Sequence, residues 1–174
     1  DSYESPIKEG VLQDVVCGDL SGNGRKDLVF FETKEHHIDL VAFDAPGRLL
    51  PGNRWRVFEQ RTFRTARGGV EPREGLVADF DGDGHNDLLV VNAENGVTAE
   101  LDSYIYWGGS DGLTGARTEL PTAGAYDVVT RDLTGNGLQD VILPSAWVDH
   151  HNPGEPRRLH VFLQTAPRTF AAAA

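Results

Sequence analysis

The chain lacks methionine and carries one cysteine, Cys17, among its 174 residues. A single cysteine cannot form an internal disulfide, and its apolar neighbours predict that Cys17 is a small buried hydrophobe. No apolar run reaches the roughly 18 residues that a membrane-spanning helix needs, so direct membrane insertion is not expected. Without methionine, the chain is expected to be a mature form after signal removal or a piece of a longer polypeptide.

Basic residues are also scarce, because 16 Lys and Arg stand against 27 Asp and Glu, for a net charge of −11. No basic stripe is present to meet phosphates, which argues against nucleic-acid binding. A nucleophile elbow, a Cys/His nucleophile pair and a phosphate-binding loop are missing too. His36, His37, His150 and His151 lie in polar connections without a third ligand at metal-binding spacing, so we interpret them as solvated. The sequence therefore predicts no catalytic residue.

Against these absences stands one motif that occurs three times, at residues 19–27, 79–87 and 132–140. Oxygen side chains recur at positions 1, 3, 5 and 9, and glycines at positions 4 and 6 allow a tight loop. With the backbone carbonyl of position 7, each loop offers the oxygen ligands that Ca²⁺ prefers and no soft ligand for zinc, copper or iron. The predicted metal ligands are Asp19, Ser21, Asn23, Arg25 and Asp27 in loop one, Asp79, Asp81, Asp83, His85 and Asp87 in loop two, and Asp132, Thr134, Asn136, Leu138 and Asp140 in loop three.

The three loops differ in charge. Loop two, residues 79–87, contains four carboxylates, whereas loops one and three contain two each. Because affinity rises with ligand charge, we expect up to three Ca²⁺ ions, with the tightest site in loop two. An EF-hand is excluded because its loop needs an acid at position 12, where this chain has Phe30, Val90 and Leu143.

Short apolar runs precede and follow every loop and predict β-strands. Together they predict an all-β fold, with no helix and about three β-propeller-type blades of four antiparallel strands each. In the third repeat no fourth strand is predicted, and residues 171–174 are assigned no structure. The repeats are placed at roughly 11–62, 70–121 and 123–170, within a single propeller segment that covers residues 1–174.

This arrangement resembles the FG-GAP/VCBS repeat family, which is found in the integrin α-subunit propeller and in many bacterial extracellular proteins. The resemblance rests on the three loops and on the strand-like runs Ser103–Gly108 and Val161–Gln164, and it covers roughly residues 11–170. It implies a calcium-binding β-propeller that lies outside the cytoplasm, in an extracellular, cell-surface or periplasmic location.

Three blades are too few to close a propeller, which has about four to eight. We therefore expect a protein partner or further copies of the chain to complete it. A carbohydrate that stacks on Tyr104, Tyr106, Trp107 or Trp147 is a second candidate ligand, although core packing is favoured for these aromatics. The predicted function is an adhesion-type or scaffold subunit, and the alternative is an accessory domain or subunit of an extracytoplasmic enzyme or electron-transfer complex.

Overall fold

A computed structural model describes residues 12–32, 38–45, 48–56, 72–93, 99–145 and 158–173 of the chain. Within these ranges the fold is all-β, with twelve strands and no helix, as the sequence predicts. The strands are β1 (Leu12–Gly18), β2 (Asp27–Glu32), β3 (Ile38–Ala45), β4 (Arg48–Arg56), β5 (Pro72–Ala78), β6 (Asp87–Asn92), β7 (Asp102–Tyr106), β8 (Arg117–Pro121), β9 (Val129–Arg131), β10 (Asp140–Pro144), β11 (Leu159–Ala166) and β12 (Thr169–Ala172).

The twelve strands form three antiparallel sheets of four strands, and in each sheet the strands follow one another in chain order. The first sheet contains β1 to β4, the second β5 to β8, and the third β9 to β12. Each aspartate-rich loop joins the first strand of its sheet to the second. This repeated meander is the blade-like architecture predicted from the motif spacing.

The second sheet is buried on both faces. All six residues of β6 are buried, which explains why its sequence is a continuous apolar run without alternation. One face packs on the first sheet, in a cluster that joins Leu20, Val29 and Phe31 to Leu88, Val90 and Tyr106. The opposite face packs on the third sheet, in a cluster that joins Phe80, Leu89, Val91, Ile105 and Trp107 to Val141, Leu143 and Phe162. The three sheets therefore stack in chain order.

The stack is not closed in the part of the chain that the structure describes. Neither apolar cluster there joins the first sheet to the third. Among the described residues, no sheet packs on one face of the first sheet or on one face of the third.

Close contact between the first two sheets depends on Gly75 in β5. A Cβ atom at this position would overlap the ring of Phe31, whose Cε2 atom would lie 2.7 Å away. Phe31 is fully buried in the cluster between the two sheets. The absence of a side chain at Gly75 therefore lets an aromatic ring of one sheet lie directly on the backbone of the next.

The prediction that Cys17 is buried was wrong, because the structure exposes it. Side chains alternate between the two faces of a strand, and Val16 packs into the cluster between the first and second sheets. Cys17 therefore points to the opposite face of the first sheet. The apolar neighbours of Cys17 in the sequence predict a strand correctly, but they do not reveal which of its faces lacks a covering sheet.

Candidate metal centre

The three loops share a hydrogen-bond scaffold in which the aspartate at position 1 binds backbone amides of its own loop. In loop two, the Asp79 carboxylate accepts from Gly82 N at 2.7 Å and from Gly84 N at 2.9 Å. Both glycines have positive φ, 77° and 89°, which a side chain would oppose. The contact from position 6 recurs in the other loops, from Gly24 to Asp19 and from Gly137 to Asp132. The remaining donors are Asn23 in loop one, and Gly135 and Asn136 in loop three.

Position 5 accepts a hydrogen bond from position 7 in every loop. Asp83 Oδ1 accepts from His85 N at 2.9 Å, and Asn136 Oδ1 accepts from Leu138 N at 2.9 Å. In loop one, Asn23 Oδ1 accepts from Arg25 N at 2.8 Å. Because aspartate and asparagine serve this contact equally, the charge of Asp83 is not required to form the loop.

The aspartate at position 9 fastens each loop to its sheet. Asp87 is fully buried, and its Oδ2 accepts from Phe80 N while its Oδ1 accepts from Gly108 N, both at 2.8 Å. Asp140 accepts in the same way from Leu133 N and Gln164 N, both at 2.7 Å. Sequence reasoning assigned position 9 to the metal alone and missed this role, although each of these aspartates directly precedes a buried strand.

Loop one differs at the same position. Asp27 Oδ2 accepts from Leu20 N at 2.9 Å and from Ser21 N at 2.8 Å. The buried Asp27 Oδ1 and Ser21 Oγ make no hydrogen bond. Burial raises the pKa of Asp27, and the hydrogen bonds from Leu20 and Ser21 oppose that rise. Buried oxygens without partners are rare, and these two atoms belong to predicted ligands of the loop.

Loop two contains the densest group of carboxylates. Oxygens of Asp79, Asp81 and Asp87 lie within 4.8 Å of one another, and within the described ranges this is the one such group of three or more acidic, His or Cys side chains. Burial raises the pKa of Asp87 to about 6, and the negative charges of Asp81 and Asp83 add to the rise. Hydrogen bonds from Gly108 and Phe80 oppose it. A divalent cation would relieve this repulsion, since hard cations bind clustered carboxylate oxygens.

Loop three is the most exposed of the three. Leu133 at its position 2 is 52% exposed, whereas the equivalent Leu20 and Phe80 are 1% exposed. Thr134 is exposed as well, and Asn136 donates its side-chain amide to Gln164 O at 2.7 Å. Hydrogen bonds from backbone amides, led by that of Gly137, lower the pKa of Asp132. The predicted ligands of loop three thus lie on one loop, but no described sheet covers them.

A hairpin of the following sheet covers each of the first two loops. On loop one lies the connection between β7 and β8, where Leu113 N donates to Leu20 O at 3.0 Å. The approach is so close that a Cβ at Gly22 would lie 2.5 Å from Ser110 O, and one at Gly112 would lie 2.6 Å from Leu20 O. These contacts bring together residues about 90 positions apart in the sequence, and no local sequence pattern predicts them.

On loop two lies the turn between β11 and β12, which brings Arg168 into the acidic group. Arg168 Nε is 2.5 Å from Asp81 Oδ2, and its NH2 nitrogen is 3.2 Å from Asp83 Oδ2. Its guanidinium carbon also lies 5.1 Å from the centre of the Trp107 ring. The sequence analysis did not identify Arg168, because nothing near it in the chain resembles the loop that it contacts.

The remaining candidate residues lie apart from the loops. Tyr106 and Trp107 are buried in the two clusters between sheets, in agreement with core packing. Arg117 lies over the ring of Tyr104, 4.2 Å from its centre. Trp147 lies outside the described residues, as do His36, His37, His150 and His151. Carbohydrate binding therefore stays a prediction.

Comparison with known families agrees with this geometry. The family model described as an FG-GAP-like repeat matches residues 79–143, which run from loop two through loop three to β10. Among curated proteins, none matches the chain. In the part of the chain that the structure describes, no helix is long and apolar enough to cross a membrane.

Proposed function

The chain contains an FG-GAP-like repeat, and from this premise we propose that it is a calcium-binding β-propeller module for binding and assembly outside the cytoplasm. The observation that carries the proposal is the group formed by Asp79, Asp81 and Asp87, whose oxygens lie within 4.8 Å of one another. All three donors are carboxylates, which suit Ca²⁺ and do not favour softer metals.

In loop two, the ion is held by Asp79, Asp81, Asp83 and Asp87, together with the backbone carbonyl of His85. The ion would offset the burial of the Asp87 carboxylate, which is the main cause of its raised pKa, and the smaller repulsion from Asp81 and Asp83. Because it binds the folded loop and not the unfolded chain, it stabilises the fold by mass action.

Loops one and three are proposed as weaker sites, since each offers only two carboxylates. Loop one has the additional support of the buried Asp27 Oδ1 and Ser21 Oγ, which have no other partner. In loop three, Asn136 also donates to Gln164 O, which ties this ligand to β11, and Leu133 and Thr134 are exposed to solvent.

The metal proposal is tested by thermal unfolding of the chain in excess EDTA and in millimolar Ca²⁺. An ion present at about 100 times its dissociation constant adds about 2.7 kcal/mol, which for a chain of this size raises the melting temperature by roughly 5–10 °C. Mg²⁺ at the same concentration is expected to give a smaller shift, because it demands a stricter geometry. Equal melting temperatures in EDTA and Ca²⁺ would refute the proposal.

Two matched variants locate the site. Asp83→Ala removes a charge from the densest loop and is expected to reduce the Ca²⁺-induced shift more than Asn23→Ala, which removes a neutral ligand from loop one. Both side chains make the same hydrogen bond to position 7, to His85 N and to Arg25 N respectively. Asp83→Ala also loses the contact with Arg168. Because each Ca²⁺-induced shift compares a variant with itself in EDTA, the losses that arise without the ion are subtracted, and the difference between the two shifts reports on the ion.

The assembly role is proposed from the free face of the third sheet, which we define as Val129, Leu133, Ile142, Val161 and Leu163. Val129 and Leu133 are each 52% exposed. The other three alternate with residues that pack on the second sheet. The third sheet covers the equivalent residues of the second sheet, which are Leu76, Phe80, Leu89, Ile105 and Trp107. A further blade of the same type, from a second copy or a partner protein, fits this face.

Light scattering at low micromolar concentration tests whether copies of the chain stack. If they do, Leu133→Gln should weaken association from one side, and Val15→Gln should weaken it from the uncovered face of the first sheet. Cys17, which lies on that same face, should then react more slowly with a thiol reagent as the concentration rises. If Val15→Gln has no effect on association, while Leu133→Gln weakens binding to another blade-containing protein, the partner is a different protein. The assembly role would be contradicted if the chain is a compact monomer, if neither variant changes its mass in solution, and if it binds no other blade-containing protein.

A further inference from the structure

We propose that Arg168 competes with the cation of loop two, so that it lowers the metal affinity of the loop and couples metal binding to the packing of the third sheet on the second. The inference rests on the proposed function, since it concerns the same loop. It adds a residue that lies 81 positions beyond the end of the loop, on a different sheet.

The first argument is that Arg168 holds an oxygen that the cation needs. The side chain of Asp81 is 3% exposed, and its Oδ1 accepts from Asp83 N at 3.1 Å. Its Oδ2 is 2.5 Å from Arg168 Nε. Both oxygens of this carboxylate therefore have partners within the protein. An ion that draws on Asp79, Asp81 and Asp87 together must share Asp81 with the guanidinium or displace it.

The second argument is that the fold holds Arg168 in this place. Arg168 has a φ of 62°, and in the described ranges it is the only residue other than glycine with a positive φ. With its side-chain amide oriented to satisfy its surroundings, Gln164 accepts from Arg168 N at 3.1 Å and donates to Phe80 O at 3.0 Å. Thr118 Oγ1 donates to Arg168 O at 3.4 Å. Residues of the second sheet and of β11 thus fix the turn that presents the arginine.

The size of the competition follows from charge. The Arg168 side chain is 42% exposed and that of Asp81 is 3% exposed, so the dielectric of bulk water sets a lower limit on the competition. Two like unit charges about 4 Å apart in water change an equilibrium about fivefold, and a divalent ion doubles the exponent. Removal of the guanidinium charge is therefore expected to raise the Ca²⁺ affinity of loop two by about ten- to thirtyfold.

The coupling is reciprocal, because two groups that compete for one site weaken each other by the same factor. Without Ca²⁺, the contacts from Arg168 to Asp81 and Asp83 hold the third sheet on loop two. With Ca²⁺, the ion neutralises these carboxylates and the arginine contributes less to the packing of the two sheets. Loop two occupancy therefore changes how firmly the third sheet is held.

The experiment is a calorimetric Ca²⁺ titration of the whole chain and of Arg168→Gln, Arg168→Lys and Arg117→Gln. Arg117 is the matched control, because it also pairs with an acid of the second sheet, Glu119, and lies over an aromatic ring, but it does not contact loop two. We expect Arg168→Gln to bind Ca²⁺ at least about tenfold more tightly, Arg168→Lys to lie between it and the parent, and Arg117→Gln to stay within about twofold of the parent.

A second readout is thermal unfolding. In EDTA, Arg168→Gln should melt below the parent chain, and in saturating Ca²⁺ the difference should shrink or reverse. Arg168→Lys keeps the positive charge, and its Ca²⁺ affinity is compared with that of the parent chain if Arg168→Gln does not fold. Parent-like or weaker Ca²⁺ binding by Arg168→Gln, in a parent chain that does bind Ca²⁺, would overturn this inference and leave the proposed function standing. If neither parent nor variants bind Ca²⁺, the proposed function fails as well.

Discussion

The acids that precede the three loops lead to a prediction on pH. Asp14, Glu74 and Asp127 occupy equivalent places near the first strand of each sheet. Glu74 shares a side-chain hydrogen bond with Asp127, and Asp14 Oδ2 accepts from Gly75 N at 3.0 Å. Burial raises the pKa of Glu74 from its ordinary 4.5 to about 7, and the charge of Asp127, its hydrogen bond and the charge of Asp14 add to the rise. The stack of sheets therefore brings like charges together around Glu74.

The direction of the effect on stability follows from that pKa. Below pH 4.5, Glu74 is protonated in the folded and the unfolded chain, and no penalty arises. As the pH rises through about 7, the folded chain must give up a proton that the unfolded chain has already lost, so folding stability falls. The pKa difference sets an upper limit of about 3 kcal/mol. Because the carboxyl is only partly buried, solvent screening reduces the expected penalty to about 1 kcal/mol.

Glu74→Gln tests this reasoning, because glutamine has nearly the same shape, cannot ionise and still donates to Asp127. In urea unfolding with EDTA, the variant should match the parent at pH 4.5 and exceed it by about 1 kcal/mol at pH 8. The control is Glu119→Gln, which removes an exposed glutamate paired with Arg117 and should bring no gain at pH 8. A stability difference that is equal at both pH values, or a loss at pH 8, would show that Glu74 does not carry the repulsion.

Two further substitutions test the packing and the loop scaffold. Gly75→Ala places a methyl group on the ring of Phe31 and should lower the free energy of unfolding in urea by about 1–3 kcal/mol. In a double-mutant cycle, Phe31→Leu should recover part of this loss. If the effects of the two substitutions are fully additive, the two residues are not in contact. Asp87→Asn turns an amide N–H toward one of the two backbone donors, Phe80 N or Gly108 N, and should lower stability by about 1–3 kcal/mol even in EDTA. Asp83→Asn should cost less, because it weakens only the partly exposed pair with Arg168. Equal losses for the two variants would contradict the different roles assigned to the two positions.

The sequence predicts the fold well where a signal is local and repeated. The three loops give the period, and the apolar runs behind them, such as Leu88–Val91, mark strands that are buried on both faces. Two strands depart from the prediction, which places the fourth strand of the first repeat at residues 55–58 and predicts no fourth strand in the third repeat. β4 (Arg48–Arg56) contains proline and glycine, and β12 (Thr169–Ala172) ends in an alanine run. Both lie at the edge of their sheet, where one neighbouring strand suffices and intrinsic strand propensity is a weak guide.

The candidate site is predicted only as far as the loop itself extends. Spacing alone predicts Asp79, Asp81 and Asp87 as ligands, and the fold brings their oxygens within 4.8 Å of one another. The contacts of Arg168 and the cover of loop one by Leu113 arise from the stacking of one sheet on the next. Such contacts depend on which sheets become neighbours, and a single sequence contains no local pattern that reports it.

Loop three shows most clearly that formation of the loop does not depend on a neighbouring sheet that packs over it. Asp132 and Asp140 accept the same backbone hydrogen bonds as their counterparts in loop two, so the nine residues form the loop without a neighbouring sheet. Yet Leu133 is 52% exposed, against 1% for Phe80 at the same position. The loop motif therefore sets the positions of its oxygens, while the next sheet decides whether the loop is buried and which charge, such as that of Arg168, stands beside it. Three similar loops in one chain thus differ in burial and in neighbouring charge, although they share one hydrogen-bond scaffold.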